Sequence, residues 1–267
     1  MFTEERQQKI LELLQKNGRL HIAELARKFS VSEVTLRADL SSLARQGHLT
    51  RTHGGAVLRE RSIFPGRASL SFGDKAVANL EAKRRIGRRA AELIQDGMNV
   101  LLDAGTTILE IARNLHNHKD LTVITDSIPV AVELSDYDGI TVIMTGGALR
   151  SASLAVIGPE SWSALERLHV QLAFIGARGV LPEQGFFCGN TVEAETKRRM
   201  MATAEQKIAV VDHSKFGLTG LAPFAALDDF NSLLTDRVDS PADLERIRAA
   251  GIELILCNRK NNGGRKK

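Results

Sequence analysis

The sequence predicts an α/β fold with a mostly parallel sheet, preceded by a smaller domain of short helices and a hairpin. From residue 99 onward, seven short apolar segments alternate with helical patterns, which is typical of parallel strands covered by helices on both faces. Residues 20–57 instead show two short amphipathic helical patterns followed by two short extended segments. The length of 267 residues, with 43% apolar residues, is enough for about two domains that each bury a core.

Charge is distributed unevenly along the chain. Residues 1–61 carry 11 Lys and Arg against 7 Asp and Glu, a net charge of +4, whereas residues 62–258 carry 20 against 25, a net charge of −5. Residues 259–267 hold five basic residues and no acid, and we expect them to form a disordered basic tail. A basic end on an otherwise acidic chain indicates that this end meets the phosphates of nucleic acid.

Several classes of protein are excluded by what the sequence lacks. No apolar run approaches the roughly 18 residues that a membrane-spanning helix needs, and the polar start of the chain is unlike a secretory signal, so we expect a cytoplasmic protein without a membrane partner. Cys188 and Cys257 lie far apart and have no companions at metal-ligand spacing. Neither a dinucleotide fingerprint nor a nucleotide-binding lysine loop occurs. We therefore expect no metal and no cofactor.

Three helices are expected at the start of the chain. They cover residues 2–17, 22–29 and 33–46, each with apolar residues at spacings of three and four. A short polar turn at residues 30–32 separates the second helix from the third. The hydroxyl of Ser32 is placed to accept a hydrogen bond from the free backbone N–H groups that follow it, so Ser32 is the expected N-cap.

The apolar stripe of the third helix predicts its orientation. Leu36, Leu40 and Leu43 recur at spacings of four and three and are expected to face the core. The opposite side carries small, lightly charged residues without acids, which allow a close approach to a duplex. Arginine can bind guanine or phosphate there, hydroxyls can bind either groove edge, and small apolar groups can contact a thymine methyl. The candidate DNA contacts on this helix are Ser32, Val34, Thr35, Arg37, Ala38, Ser41 and Arg45.

A hairpin is expected after the third helix, with strands at residues 48–50 and 56–58. The tip between them carries Arg51 and His53, which suit contacts with phosphate or with the minor groove. A helical pair with a basic loop can also be a small helical subdomain that binds no DNA, and the pattern alone leaves that alternative open.

Two motifs in this region are more specific: S-x-x-T-L-R at residues 32–37 and R-x-H-G-G-A at residues 51–56. With them, residues 5–57 resemble the winged helix-turn-helix of the DeoR family of bacterial transcriptional regulators. The resemblance implies an N-terminal winged helix-turn-helix domain over residues 1–58 whose partner is double-stranded operator DNA. Because operators are commonly palindromic, we also expect a homodimer or homotetramer. The family usually has a second Arg after Arg37, and Ala38 stands there in this chain, so operator preference is expected to differ.

The remainder of the chain begins with a predicted linker. Residues 59–79 show no clear period and contain Pro65, Gly66 and Gly73. A helix over residues 80–95 opens the α/β domain, which covers residues 80–258. We expect its exposed side to carry Lys83, Arg84, Arg85, Arg88 and Arg89. Strands are predicted within residues 99–105, 121–127, 140–147, 171–179, 207–215, 231–236 and 252–257, and helices near residues 106–116, 128–135, 159–168, 191–205 and 241–250.

Polar and glycine residues follow the predicted strands. Because ligands of open α/β sheets bind outside the carboxyl ends of the strands, these loops are expected to form one site. The segment from Gly105 to Thr107 opens a helix whose N–H groups can hold an anion, and Gly146 and Gly147 permit close backbone approach. Arg178 and Lys215 supply positive charge. The combination favours a small phosphorylated ligand with hydroxyls, although each loop taken singly can be an ordinary turn.

The same loops extend the resemblance to the DeoR-type effector domain, which is similar to ribose-5-phosphate isomerase and glucosamine-6-phosphate deaminase. The resemblance implies a phosphorylated sugar as effector, with Thr106 and Thr107 on the phosphate. Where the family often has Gly-x-Asp-Gly, residues 176–179 read G-A-R-G, and the change from acid to base favours a more anionic ligand. The candidate effector-binding residues are Asp103, Gly105, Thr106, Thr107, Thr125, Ser127, Gly146, Gly147, Arg178, Glu195, Lys197 and Lys215.

The sequence therefore favours a DNA-binding repressor of a sugar-catabolic operon, modulated by a phosphorylated sugar intermediate. One alternative is a sugar-phosphate isomerase or deaminase with an appended helical domain, because Asp103, Glu195 and Asp212 could supply the carboxylate that proton transfer needs. Another is a non-specific DNA binder, whose affinity would fall smoothly with salt and be indifferent to sequence.

Overall fold

The computed structural model describes residues 3–17, 19–45, 49–52, 54–58 and 72–257. The chain divides into two compact units, Met1–Leu70 and Ser71–Lys267. His53, most of the predicted linker and the predicted basic tail lie outside the described residues.

The first unit contains the three predicted helices and the predicted hairpin. Its elements are α1 (Thr3–Asn17), β1 (Arg19–His21), α2 (Ile22–Phe29), α3 (Glu33–Arg45), β2 (Leu49–Thr52) and β3 (Gly55–Leu58). Strands β1, β3 and β2 form an antiparallel sheet in that order, and Leu20 of β1 pairs with Ala56 of β3. Strand β1 was not predicted, because three residues are too few to show an alternating pattern.

The turn between α2 and α3 forms as the sequence predicts. Ser30 ends α2 in the left-handed conformation with φ of 54°. The hydroxyl of Ser32 accepts a hydrogen bond from the backbone N–H of Thr35 at 3.1 Å, which confirms Ser32 as the N-cap of α3. The predicted stripe of Leu36, Leu40 and Leu43 is buried and belongs to the core of this unit.

A buried ion pair joins α1 to α3. Arg6 Nε donates to Asp39 Oδ2 at 2.6 Å, and both side chains are almost fully buried. Gln7 Nε2 also donates to Asp39, at 3.3 Å. The hydrogen bond with Asp39 raises the pKa of Arg6 above its ordinary value. Because both charges are removed from water, each depends on the other for compensation.

The second unit is built around the seven predicted strands. Its helices are α4 (Phe72–Val77), α5 (Leu80–Ala91), α6 (Thr106–Ala112), α7 (Ile128–Leu134), α8 (Pro159–Leu165), α9 (Thr191–Ala202) and α10 (Pro241–Ala249). Its strands are β4 (Asn99–Leu102), β5 (Leu121–Thr125), β6 (Ile140–Met144), β7 (Ala148–Arg150), β8 (Ala155–Ile157), β9 (Val170–Gly176), β10 (Gly179–Leu181), β11 (Gly185–Cys188), β12 (Ala204–Val210), β13 (Ala222–Ala225), β14 (Ser232–Thr235) and β15 (Glu253–Leu256). The order β15-β14-β12-β9-β4-β5-β6 makes one parallel sheet of seven strands, as predicted.

Helices cover both faces of this sheet. Val100 and Leu102 of β4 belong to a core that includes residues of α5, α6 and α7, whereas Leu101, between them, belongs to a second core with residues of α8, α9 and α10. Successive residues of a strand point to opposite faces, so the alternation along β4 follows from strand geometry. The predicted α/β class is therefore confirmed.

The structure adds elements that the sequence pattern did not reveal. A hairpin of β7 and β8 follows β6, and β10, β11 and β13 form a small antiparallel sheet. Helix α4 lies in the stretch that was predicted as linker. Lys83, predicted to be exposed, is buried. Its ammonium donates hydrogen bonds to the carbonyls of Lys75 and Ala78, the latter at 2.6 Å, which compensate the charge for its loss of water. Burial lowers the pKa of Lys83 below its ordinary value.

In the part of the chain that the structure describes, no helix is long and apolar enough to cross a membrane. The same residues include no group of three or more His, Cys, Asp or Glu able to hold a metal ion. Cys188 and Cys257 are buried, and burial raises the pKa of each thiol to about 11.

The Arg6–Asp39 ion pair gives a test of the first unit. We expect Arg6→Met to destabilise this unit by about 3 kcal/mol, because the Asp39 carboxylate is left buried without its partner. Hydrogen exchange of peptides from α1 and α3 in the full chain measures the loss. The double variant Arg6→Met/Asp39→Leu should recover most of it, and Arg84→Met, which breaks an exposed pair with Glu81, should change exchange little. Unchanged exchange in Arg6→Met would show that the pair contributes nothing.

Candidate functional site

The outward face of α3 carries most of the residues predicted to contact DNA. Val34 is 77% exposed, and Arg37 and Ala38 are also exposed. Ser32 is exposed at the start of the helix, and Thr35 is half-buried beside it. Arg45 lies at the end of α3 and Arg51 in β2.

Two side chains on this face are engaged within the unit. Arg37, on the flank of this face, pairs with Glu33 at 3.2 Å one turn earlier. The pair is exposed at both ends, and a phosphate can replace Glu33 at little cost. Ser41 Oγ donates to the backbone carbonyl of Arg37 at 2.6 Å, which turns its hydroxyl toward the helix itself.

A pocket lies at the carboxyl ends of β4 and β5, bordered by α9. This is the edge of a parallel sheet at which ligands are expected. Asp103 and Lys197, both predicted as site residues, lie in its wall. The full lining is Asp103, Ala104, Asp126, Ser153, Ala155, Ile157, Glu193, Thr196 and Lys197.

Asp103 and Lys197 form a buried ion pair in this wall. Asp103 Oδ2 accepts a hydrogen bond from the Lys197 ammonium and another, at 2.8 Å, from the backbone N–H of Gly176. Burial raises the pKa of Asp103 although Lys197 opposes the shift. Burial acts to lower the pKa of Lys197, but the carboxylates of Asp103 and Glu193 outweigh it and raise that pKa.

Asp126 is a pocket residue that the sequence did not single out. Thr125 and Ser127, which flank it, were predicted instead, but neither lines the pocket. Thr125 Oγ1 accepts from the N–H of Ser127 at 3.0 Å, and Ser127 Oγ accepts from the N–H of Val130 at 3.4 Å, so both hydroxyls stabilise the turn into α7. The middle residue of this turn is therefore the one that reaches the pocket.

The pocket lining contains Glu193 and does not contain Glu195, which the sequence predicts as a site residue. Glu195 accepts from Arg199 Nε at 2.8 Å and does not line the pocket. Glu193 does, and it lies 3.5 Å from Arg150. Residues at spacings of three and four share one side of a helix, so Glu193 lies on the side of Lys197 and Glu195 does not. The sequence does not say which side of α9 the strand ends approach, and Glu195 as a contact of the effector stays a prediction.

Two predicted glycines have a role within the fold. Gly147 has φ of 112°, and a Cβ at this position would lie 2.7 Å from the carbonyl oxygen of Ile157. Its close approach is therefore to β8 and not to a ligand. Gly146 is beside it and outside the pocket wall, and its carbonyl accepts a hydrogen bond from the Ser161 hydroxyl.

Four cations are coupled electrostatically near the pocket: Lys75 and the three residues whose positive charges act on it, Arg150, Arg178 and Lys215. We call these four residues the cation cluster. Arg150 lies 3.5 Å from the pocket residue Glu193. Burial lowers the pKa of Lys75, and the positive charges of Arg178, Arg150 and Lys215 lower it further. Among the described residues, no carboxylate lies within 4.0 Å of the ammonium or guanidinium groups of Lys75, Arg178 and Lys215. Thr106 Oγ1 donates to the carbonyl of Lys75 at 3.4 Å, which joins α4 to the start of α6.

The sequence predicted Arg178 and Lys215 but missed Lys75 and Arg150. Lys75 lies in a helix without an apolar period, and Arg150 lies in a three-residue strand. Neither element could be recognised from its pattern, although their single basic residues are visible in the sequence.

Family models match both units. The DeoR-like helix-turn-helix domain matches residues 6–62, and the DeoR C terminal sensor domain matches residues 78–237. The chain belongs to the DeoR family of transcriptional regulators. The resemblance seen in the sequence is thereby confirmed for both parts of the chain.

Relatives in this family match over nearly the whole chain. The transcriptional repressor GlcR of Bacillus subtilis is 37% identical over 96% of this chain and 97% of its own. The glycerol-3-phosphate regulon repressor of Escherichia coli K12 is 30% identical over 93% of this chain and 96% of its own. A ribose 5-phosphate isomerase from Methanocaldococcus jannaschii aligns with 52% of this chain and 55% of its own at 20% identity, with a TM-score of 0.39. Because the relatives are named as transcriptional regulators, this DeoR-family protein is a regulator and not an enzyme.

The exposed face of α3 gives a test of DNA contact in this DeoR-family protein. We expect Arg37→Ala to weaken operator binding about 5- to 100-fold through loss of a base or phosphate contact. Fluorescence anisotropy with a labelled operator at several salt concentrations measures the loss and separates the two kinds of contact. Arg84→Ala, which removes an exposed cation from the second unit, is the matched control. Wild-type affinity in Arg37→Ala would mean that α3 does not present this side to DNA.

Proposed function

We propose that this DeoR-family protein represses a sugar-catabolic operon and that a phosphorylated sugar, bound in the second unit, lowers its affinity for the operator. The observation that carries the proposal is the cation cluster, which places three cations without carboxylate partners beside a pocket lined by hydrogen-bonding groups. In this proposal residues 1–58 bind DNA and residues 80–258, together with α4, bind the effector.

The cation cluster supports a phosphate as the charged end of the ligand. Several positive charges held close together repel one another, and a dianionic phosphate relieves that repulsion while accepting several hydrogen bonds. Thr106 and Thr107 lie at the start of α6, next to Lys75, where backbone N–H groups and hydroxyls add donors. Arg178 strengthens this preference, because an acid at its position would reduce the net positive charge.

The pocket supports a hydroxylated remainder of the ligand. Carboxylates accept hydrogen bonds from hydroxyls and ammonium groups donate to them, so Asp103, Glu193 and Lys197 in the pocket wall offer partners for ligand hydroxyls. Glu193 is close to both groups of residues, because it lines the pocket and is paired with Arg150 of the cation cluster. A sugar phosphate, which has an anionic end and several hydroxyls, is therefore the class of ligand that this arrangement favours.

The proposal includes a homodimer or homotetramer bound to a palindromic operator. Two-fold symmetry in the protein matches two-fold symmetry in the DNA. Apolar side chains that are exposed on the edge strand β6 and on β7 support self-association, because such groups are usually covered. They are Ile143, Met144 and Leu149.

The direct test measures operator binding with and without sugar phosphates. The full-length protein is titrated against labelled DNA from upstream of a neighbouring sugar-catabolic operon, with excess competitor DNA, at about 0.15 M salt. We expect a sequence-specific complex and a loss of affinity of about 5- to 150-fold with one phosphorylated sugar of a panel. Binding that is indifferent to sequence would support the non-specific alternative, and a complex unaffected by every sugar phosphate would contradict the effector.

The phosphate site has its own test in the double variant Thr106→Ala/Thr107→Ala. We expect wild-type operator affinity and a loss of the effector response, because the variant removes two hydroxyl donors from the phosphate and none from DNA. The matched control is Thr141→Ala, an exposed threonine near the start of β6, whereas the pocket lies at the carboxyl ends of β4 and β5. An effector response of wild-type size in the double variant would refute the assigned phosphate position.

A further inference from the structure

Asp126 is a buried acid whose side chain is not fully satisfied. The residue is 3% exposed, it lines the pocket, and its Oδ1 atom has no hydrogen-bond partner. Among the residues that the structure describes, Asp212 Oδ2 is the other buried side-chain atom in this state, and it does not line the pocket. Buried polar atoms are almost always paired, so an unpaired oxygen in a pocket wall is a position at which a ligand group can donate a hydrogen bond.

The charges around Asp126 indicate the sign of that group. Lys197 of α9 is bound to Asp103 at the end of β4, and Glu193 of α9 is paired with Arg150 at 3.5 Å. Of the three acids in the pocket lining, Asp126 is the one that forms no ion pair, although the charge of Lys197, which is bound to Asp103, also acts on it. Burial raises the pKa of Asp126 well above its ordinary value and the Asp103 carboxylate raises it further, whereas the Lys197 ammonium acts to lower it. A positive ligand group beside Oδ1 would offset the unfavourable burial of the Asp126 carboxylate and its repulsion by Asp103.

A ligand ammonium fits this position better than a metal ion does. The described carboxylates are not grouped in threes at metal-ligand distances, whereas one ammonium needs one carboxylate acceptor and a few neutral ones. The phosphate of the same ligand would lie on the cation cluster, which adjoins the pocket through Glu193 and Arg150. The two ends of the site then match a molecule with one negative and one positive group.

We propose that Asp126 determines specificity by binding an ammonium group of the effector, and hence that the effector is a phosphorylated amino sugar. This inference rests on the proposed function, because it takes the phosphorylated sugar as given and adds the amino group. The proposed interaction is a charge-assisted hydrogen bond that the ligand ammonium donates to Asp126 Oδ1.

Calorimetric titration of the full-length protein tests the inference without DNA. The probes are glucosamine 6-phosphate and galactosamine 6-phosphate, each compared with the corresponding hexose 6-phosphate that has a hydroxyl in place of the amine. We expect at least one amino compound to bind about 10-fold or more tightly than its hydroxyl counterpart, the ratio expected for one hydrogen bond to a charged group.

The variant Asp126→Asn separates charge from shape. Asparagine keeps the size of the side chain and removes its negative charge, so we expect about 10-fold weaker binding of the amino compound and little change for the hydroxyl compound. Asp138→Asn, at an exposed aspartate after α7, is the matched control and should keep the wild-type preference. Thermal unfolding of each variant shows whether the fold is retained, and the ratio of the two affinities within one variant does not depend on the active fraction.

The outcomes are distinguishable from those of the operator experiment. Equal or tighter binding of the hydroxyl compounds, or an amino preference that persists in Asp126→Asn, overturns the inference and leaves the proposed function standing. No binding of any of the four probes also overturns it. The proposed function fails separately, when no sugar phosphate changes operator binding.

Discussion

The buried pair of Asp103 and Lys197 is the interaction on which the second unit's pocket depends. It joins the end of β4 to the middle of α9, and the same carboxylate accepts from Gly176 at the end of β9. Three elements far apart in sequence are therefore held at one point of the sheet edge. Because a buried charge cannot lose its partner without a large penalty, this arrangement leaves little freedom to the pocket wall. Asp126, at the end of the next strand, forms no ion pair with Lys197, and its Oδ1 atom has no hydrogen-bond partner.

Much of this fold could be predicted because its main sheet is buried on both faces. Seven apolar runs, five of them followed by a helical pattern, indicate strands and crossover helices of a parallel sheet. The winged unit could be predicted for a related reason, since Leu36, Leu40 and Leu43 identify the inner side of α3 and thus its outer side. Three-residue strands such as β1 and β10 have no pattern of their own and form because longer neighbours offer them hydrogen bonds.

The site was harder to predict than the fold, because a site depends on the relative rotation of elements. The sequence located the loop that contains Asp126 and the helix that contains Glu193, but it selected neighbouring residues in both. Local hydrogen bonds that turn Thr125 and Ser127 away from the pocket are invisible in a sequence. Net charge was a poor guide as well. Residues 62–258 carry a net charge of −5, yet four of their cations gather beside one pocket. Three-dimensional placement, and not composition, makes that place attractive to an anion.

Helix α4 is held to its unit in an unusual manner. None of its residues is buried, and Phe72 is only partly buried against the core. The contacts that fasten it include hydrogen bonds from Lys83 and Thr106 to one backbone carbonyl, that of Lys75. Segments with so few buried apolar contacts undock at low free-energy cost. An anion that gathers Lys75 together with Arg178 and Lys215 would shift the equilibrium of α4 between docked and undocked states.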